Sequence, residues 1–308
     1  RVVVDILYYA ALGAAVYFAV RYLLCWTLPF FLGAGVAALL RPATLKFAKK
    51  TRMKESCAAV LVLLFFYLVA AGMLALFLTI LLAQLYELLL RLPELYAAET
   101  AKARLVANPG CYPSSAILGL YAAFKHGLIS PDNIVIDSKS GTSGAGRKPV
   151  VPSLFCEVYD TFRAYGLGKH RHTPEIEQEY SRAAGCDVRV SFNPHLVPMV
   201  RGILSTIYTT LRKPGTTLDE VHAAYCETWA QSPWVRVLPK GKLPETRFVR
   251  GSMFCDLGLV VDPRTNRLIV VSAIDNLCRG ASGQALANAN LMCGLPVDCG
   301  LNAAPMLP

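Results

Sequence analysis

The chain predicts two structural classes in series: an all-α apolar segment over residues 1–96, then an α+β domain with a sizeable sheet over residues 97–308. Three observations carry the division. Charged residues make up 17% of the chain, yet between Ile6 and Leu40 the only charge is Arg21, and between Cys57 and Gln84 there is none. Past residue 97 turn punctuation appears (NPG, SPDN, SGTSGAGRKP, RKPG, DPRTN). Between those turns, β-rich runs alternate with helical ones. The seam falls near Leu92–Ala98, and the sequence holds no internal repeat or low-complexity linker.

Each apolar run meets the ~20 residues that a membrane-spanning helix needs. Ile6–Leu40 is long enough for a bent hairpin broken near Pro29, or for one long helix with an interfacial end. Tyr8, Tyr9, Tyr22 and Trp26 flank the runs as interface anchors do. The expected partner of this arm is membrane lipid, through residues 6–84. Between the runs, RPATLKFAKKTRMKE (41–55) reads as a basic loop, and residues 1–56 hold eight Lys or Arg against two acids. The positive-inside rule puts such a loop on the cytoplasmic face. That local bias accounts for most of the net charge of +10. The rest of the chain has no basic stripe interleaved with aromatics, so nucleic acid is not an expected partner.

In the second part NIVIDS, DVRVSF, ILSTIYTTL, CDLGLVVD and RLIVVSAID read as strands, and residues 114–126, 174–184, 217–230 and 281–293 as helices. The ten cysteines form no C-x-x-C, which excludes a zinc ribbon or a thioredoxin-type pair, and no metal site is expected. Chain length and the lack of a cleavable secretory signal argue against a disulfide framework.

One cysteine stands apart. Cys111 follows Asn-Pro-Gly in ANPGCYP and precedes the helical pattern SSAILGLYAAFKHG. Free N–H groups and the dipole at a helix N-terminus favour a thiolate, so its pKa is expected below the ~8.5 of a free thiol. GKHRHTPEIEQE (168–179) supplies a proton acceptor in His170 or His172. Residues two apart point to opposite faces of a strand, so both histidines serve only if the segment is a turn. SGTSGAGR (Ser140–Arg147) matches no Walker sequence. Its glycine-freed N–H groups are able to cradle an anion, and Arg147 to fork onto an oxyanion. Arg201 is a second oxyanion candidate, with a surface ion pair as the competing explanation.

With these residues in hand, residues 93–308 resemble the N-acetyl-gamma-glutamyl-phosphate reductases of arginine biosynthesis. The matching stretches are LPELYAAETAKARLVANPGCYPSSAILGL, NIVIDSKSGTSGAGRKP, SLFCEV, AYGLGKHRHTPEIEQE, PHLVPMVRGILSTIY and NLCRGASGQALANANLMCGLP. The wider group holds the aspartate-semialdehyde and glyceraldehyde-phosphate dehydrogenases. The resemblance implies a mixed sheet with helices, of the semialdehyde-dehydrogenase type, in a cytoplasmic homo-oligomer. It also implies a small acyl-phosphate substrate, reduced by NADPH through a cysteine thioester to the semialdehyde. Cys111 matches the nucleophile and His170 the acid/base. His172 orients it or binds phosphate, and Glu175 binds substrate or orients the base. Ser140, Gly141 and Arg147 match the phosphate loop. Asn276 and Gln284 match the region that approaches the nicotinamide, with helix capping as their competing explanation.

The chain departs from that pattern over residues 1–96. The family opens on a dinucleotide-binding half with a strand–glycine-turn–helix fingerprint. Here the one lookalike, Gly33-Ala-Gly35, follows no strand and lies inside an apolar run. The Rossmann half is therefore read as missing. The phrases LPFFLGAGVAALLRP and LLAQLYELLLRLPEL instead resemble the start of an autoinducer-exporter-type permease. The expectation is a chimera joined near LPELY, associated with membrane and inactive as it stands. A permease fragment or membrane-anchored protein with an inert C-terminal domain is the alternative.

Overall fold

The computed structural model describes Leu12, Tyr17 and residues 24–86, 92–148 and 150–306. It divides into two compact units, Arg1–Glu87 and Leu88–Pro308. In the first, helix α1 (Leu24–Thr51) and helix α2 (Glu55–Tyr86) lie against each other. Two stretches, Phe30–Thr51 and Glu55–Thr79, are long and apolar enough to cross a membrane, with mean hydropathies of 1.3 and 2.7. Most of their apolar side chains are exposed, Phe65, Leu68 and Met73 among them, while Ala48 and Ala58 are buried.

One expectation for this unit is corrected, and one of the two alternatives for its first run is set aside. The basic segment 41–55 is not a loop: α1 runs through it to Thr51, and only Arg52, Met53 and Lys54 separate the helices. Ala, Leu and Lys are strong helix formers, and Lys49 and Lys50 sit in the last turn, where the dipole favours cations. The Thr44 and Thr51 hydroxyls donate back to the Leu40 and Phe47 carbonyls. Nor does the first run break at Pro29, which lies inside α1. Tyr8, Tyr9, Tyr22 and the Trp26 side chain lie outside the described residues, as does most of 6–23.

The second unit takes in residues ahead of position 97. Leu92 is fully buried in its core, and helix α3 (Pro93–Lys102) occupies the expected seam. Glu94 of α3 reaches the fully buried Arg279 at 2.6 Å. Helix α4 (Cys111–Lys125) is the axis of the unit, buried at every residue from Tyr112 to Leu120. It ends at His126, before Gly127 with φ +62°, the left-handed conformation that glycine adopts freely at a helix C-terminus.

The sheet comprises β1 (Ile134–Gly141), β2 (Arg163–Ala164), β3 (Val190–Val197), β4 (Ile203–Thr210), β5 (Val235–Val237), β6 (Cys255–Asp262) and β7 (Arg267–Ile274). Their order is β2-β3-β1-β4-β7-β6-β5. The β1/β3 and β5/β6 pairs are parallel and the others antiparallel, so the sheet is mixed. A short helix α5 (Phe155–Val158) precedes β2. Helix α6 (Thr173–Ala184) starts on Thr-Pro and stops at Gly185, φ +70°. In helix α7 (Leu218–Trp229), Thr217 and Glu220 form a capping box. A π-helical turn, Cys278–Ser282, leads into helix α8 (Gly283–Met292).

Helix α4 packs on β4 and β7. Gly119 permits the approach, since a Cβ there would sit 3.0 Å from Ile207 Cδ1. The contact is partly polar. The Ser115 hydroxyl reaches those of Ser205 (2.9 Å) and Ser272 (3.0 Å), and Ser138 joins Ser205 at 2.7 Å. All four are buried and hydrogen-bonded, which removes the cost of hiding hydroxyls. From the flanking helices, Tyr180 and Tyr225 donate to the Ala116 and Gly119 carbonyls at 2.8 Å.

Candidate active site

Cys111 is the first residue of α4, with Gly110 as its N-cap. Gly110 offers no capping side chain. Its own N–H donates to Glu175 Oε2 (2.9 Å), from the first turn of α6. The His172 ring lies over Gly110, where a Cβ would meet its Nε2 at 2.3 Å. On the other side Gly280 leaves room for the thiol residue, since a Cβ there would lie 2.6 Å from that of Cys111. The two glycines thus let an imidazole and the π-helical turn close on the thiol.

Residues 166–172 form a turn rather than a strand, so both histidines face the same site. Their rings are 4.9 Å apart, and the His172 N–H donates to His170 Nδ1 (3.2 Å). Aromatic edges from Tyr112, Tyr165 and Phe192 surround His170. Cys111, Tyr112, Ser140, Tyr165, His170 and His172 line one cavity of about 430 Å³, together with Arg163 and Arg171. Tyr165 donates to the Tyr112 hydroxyl (2.9 Å), which donates in turn to the His195 carbonyl (3.2 Å).

Burial sets the protonation states. It pushes the Cys111 thiol up, outweighing the N–H groups of Tyr112 and Cys111 and the Arg171 charge. The expected depressed pKa is thus overturned: the helix terminus acts as foreseen, but removal of the thiolate from water costs more. His172 is pushed down to about 4 by burial, then by the charges of His170 and Arg171. His170 is lowered by burial and then by Arg171. Glu175 is raised by burial, against the Gly110 N–H and Arg171.

Other expected residues are placed differently. Ser140 lines the cavity, but its loop is no open cradle. The N–H groups of Gly141, Thr142 and Ser143 donate to the carbonyls of Gly202, Met199 and Val200. Gly141 serves close backbone packing, because a Cβ would meet Val200 O at 2.8 Å. Arg147 and Arg201 are exposed and absent from the cavity wall, where the cations are Arg163 and Arg171. Arg171 had a local signal, lying between the two histidines. Arg163 had none, being brought in by β2. Asn276 is buried and bonded at both amide atoms: its Oδ1 accepts from Gly202 N (2.7 Å) and its Nδ2 donates to Ser143 Oγ (3.0 Å). Gln284 Oε1 accepts from Ser114 (3.4 Å), while its buried Nε2 has no partner.

A half-buried thiol at the start of a helix, two neutral imidazoles and two guanidinium groups thus surround one cavity beside a mixed sheet. The chain belongs to the semialdehyde dehydrogenase family, matching its dimerisation domain over residues 111–276. More particularly, its C-terminal 70% is homologous to N-acetyl-gamma-glutamyl-phosphate reductases. It is 55% identical over 218 residues to that of Desulfotalea psychrophila, and 56% identical over 218 to that of Geobacter sulfurreducens. Each alignment covers 70% of this chain and 63% of the relative, so the chain spans less than two thirds of those relatives' length. Among solved structures it shares the fold of aspartate semialdehyde dehydrogenase II from Vibrio cholerae. That likeness has a TM-score of 0.55 at 16% identity, covering 68% of this chain and 69% of that one. Aspartate semialdehyde dehydrogenase from Francisella tularensis gives 0.51 at 13% identity, over 65% and 70%.

Proposed function

We propose that the second unit is the catalytic and dimerisation domain of an acyl-phosphate reductase. Its reaction is the NADP-dependent reduction of N-acetyl-glutamyl 5-phosphate to the 5-semialdehyde, in a cytoplasmic homo-oligomer. The observation that carries the reading is Cys111 at the start of α4, in one cavity with His170, His172, Arg163 and Arg171.

The thiol rests protonated, so attack requires a proton acceptor. The N–H bond to His170 Nδ1 puts the proton of that neutral ring on Nε2, making His170 a hydrogen-bond donor that steadies the departing phosphate oxygen without giving up its proton. His172, neutral with an unpartnered Nδ1, is the acceptor. Cys111 Sγ bonds to the acyl carbon, the bond from that carbon to the phosphate oxygen breaks, and the thiol proton taken up by His172 passes to the departing oxygen, so that hydrogen phosphate leaves between Arg163 and Arg171. The product is a thioester. Glu175 holds the nucleophile's turn through Gly110.

The residues matched to the nicotinamide region, and the glycine lookalike, do not fit that cofactor's nicotinamide end or its fingerprint turn. Asn276 is bonded within the protein at both Oδ1 and Nδ2, Gln284 is sealed from solvent, no strand precedes Ile134 among the described residues, and Gly33-Ala-Gly35 lies inside α1. The chain is therefore expected to form the thioester without reducing it. The test is a burst of phosphate from the acyl phosphate, stoichiometric with enzyme and lost in Cys111→Ala. Turnover should appear when a dinucleotide-binding domain from an intact relative is grafted in place of residues 1–87, keeping the buried Leu92. His170→Asn should lower that turnover by about 10²–10⁴. No burst from the wild-type chain would favour the alternative, a membrane-anchored protein with an inert domain.

The arm is a separate part of the reading. We infer that α1 and α2 take membrane lipid as partner, since Phe30–Thr51 and Glu55–Thr79 bury none of their apolar windows. The chimera reading, a permease-like arm joined to a reductase, is tested by sequencing across residues 87–98 from independent source DNA. Two intact parent genes with no joined one would support it, and a joined gene would refute it.

A further inference from the structure

A second and larger cavity lies on the far side of His170. It measures about 1020 Å³ and is lined by Lys169, Arg171, Arg189 and Arg267 with one carboxylate, Glu177. Glu177 is already spent, accepting from Arg189 (3.1 Å) and from the Val190 N–H (3.2 Å). Asp187 shares Arg189 at 3.2 Å. Asp262, opposite Arg267 in the β6/β7 register, is held by Thr265 and the Arg264 N–H. Among the described residues, Lys169, Arg171 and Arg267 make no ion pair.

These cations come from three places: the histidine turn, the start of β3 and the start of β7. A solvated basic face would spread its charges. Here three unpaired cations converge on one concavity, and the first turn of α6, Thr173 and Pro174, points its positive dipole end at the same space. The ligand matching several fixed donors and no free acceptor charge is a multiply charged anion, and guanidinium groups favour phosphate geometry.

We propose that this groove is a phosphate-binding subsite, separated from the catalytic cavity by His170 and Arg171, which line both. The proposal does not rest on the reductase reading, because it concerns binding alone. Free phosphate, an acyl phosphate and the phosphate end of a dinucleotide present the same chemistry.

The test is equilibrium binding of labelled inorganic phosphate to the full chain in non-ionic detergent. Arg267→Gln and Lys169→Gln line only the groove and should each weaken binding about tenfold, the worth of one charge-assisted hydrogen bond. Arg163 lines only the catalytic cavity, so Arg163→Gln should remove at most a separate phosphate site there and leave the groove's saturable site in place. Binding should also weaken as salt is raised. Competition by acetyl phosphate and by NADPH then names the source. Displacement by one alone assigns that class, by both a shared phosphate site, and by neither free phosphate. The absence of saturable binding at millimolar phosphate overturns the proposal. So does binding lost in Arg163→Gln but kept in Arg267→Gln and Lys169→Gln. A thiol-dependent phosphate burst is read separately, so either conclusion can fail without the other.

Discussion

Helices α2 and α4 are both rich in apolar residues, yet they lead opposite lives. In α2 Phe65 is 70% exposed and Leu68 73%, whereas in α4 every side chain from Tyr112 to Leu120 is buried. The difference lies in what each helix carries besides hydrocarbon. Helix α4 has serines at positions 114 and 115 and a glycine at 119, each matched to a partner on the sheet or on α8. In helix α2 the one glycine, Gly72, has nothing within 4 Å of a Cβ placed there, and the single Thr79 hydroxyl bonds back to the Ala75 carbonyl. A uniformly apolar surface suits a uniform apolar medium, while a packed helix has a particular partner at each position.

The largest test of this contrast is all-or-none. Residues 1–87 alone should resist carbonate extraction from membranes, and residues 88–308 alone should stay soluble without detergent. Soluble recovery of the arm would erase the distinction. Next in size is the buried pair between α3 and the π-helical turn. Glu94→Ala leaves Arg279 as an uncompensated buried charge and should cost about 3–5 kcal/mol in urea melts of the second unit. Close behind, Leu120→Ala should cost about 2–5 kcal/mol from transfer and cavity terms together. Leu68→Ala should leave the same melt within about 0.5 kcal/mol. Equal effects of the two leucine changes would break the comparison.

A pH experiment sharpens it within the candidate active site. His172 titrates at about 4 when folded against 6.5 unfolded, and it is 7% exposed. The unfolded chain therefore binds the extra proton between those values. Its contribution is fully present above pH 6.5 and is lost as pH falls toward 4, up to about 3 kcal/mol. His172→Asn should flatten that slope, and an unchanged slope would assign it to other groups. The smallest expected effect is Gly119→Ala. Helix propensity gains about 1 kcal/mol, and the new Cβ presses on the movable Ile207 Cδ1 at 3.0 Å, so the net should stay within about 1 kcal/mol.

How much was legible follows from how local each feature is. The five longer strands and four helices of the second unit stand in the sequence, because each carries its own periodicity and turn residues. Strands β2 and β5, of two and three residues, are too short to carry a pattern and exist only by pairing with β3 and β6. Helix α3 was hidden because its string reads as a seam, and only the docking of Leu92 and Glu94 shows that it belongs to the core. The basic stretch 41–55 misled for another reason: charge placement says which side of a membrane a segment prefers, not whether it is helical.

The sequence by itself determined that Cys111 begins a helix behind a glycine turn, that two histidines share one short segment, and that the two halves differ in kind. Those are properties of neighbouring residues, and neighbours suffice to specify them. Only the tertiary structure decided that the thiol rests protonated, that the glycine loop spends its N–H groups on residues 199–202, and that Arg163 and Arg171 rather than Arg147 and Arg201 face the cavity. Each depends on groups distant in the chain arriving at one place, and on how much water their arrival removes. Neither distance in space nor loss of water is written in local sequence.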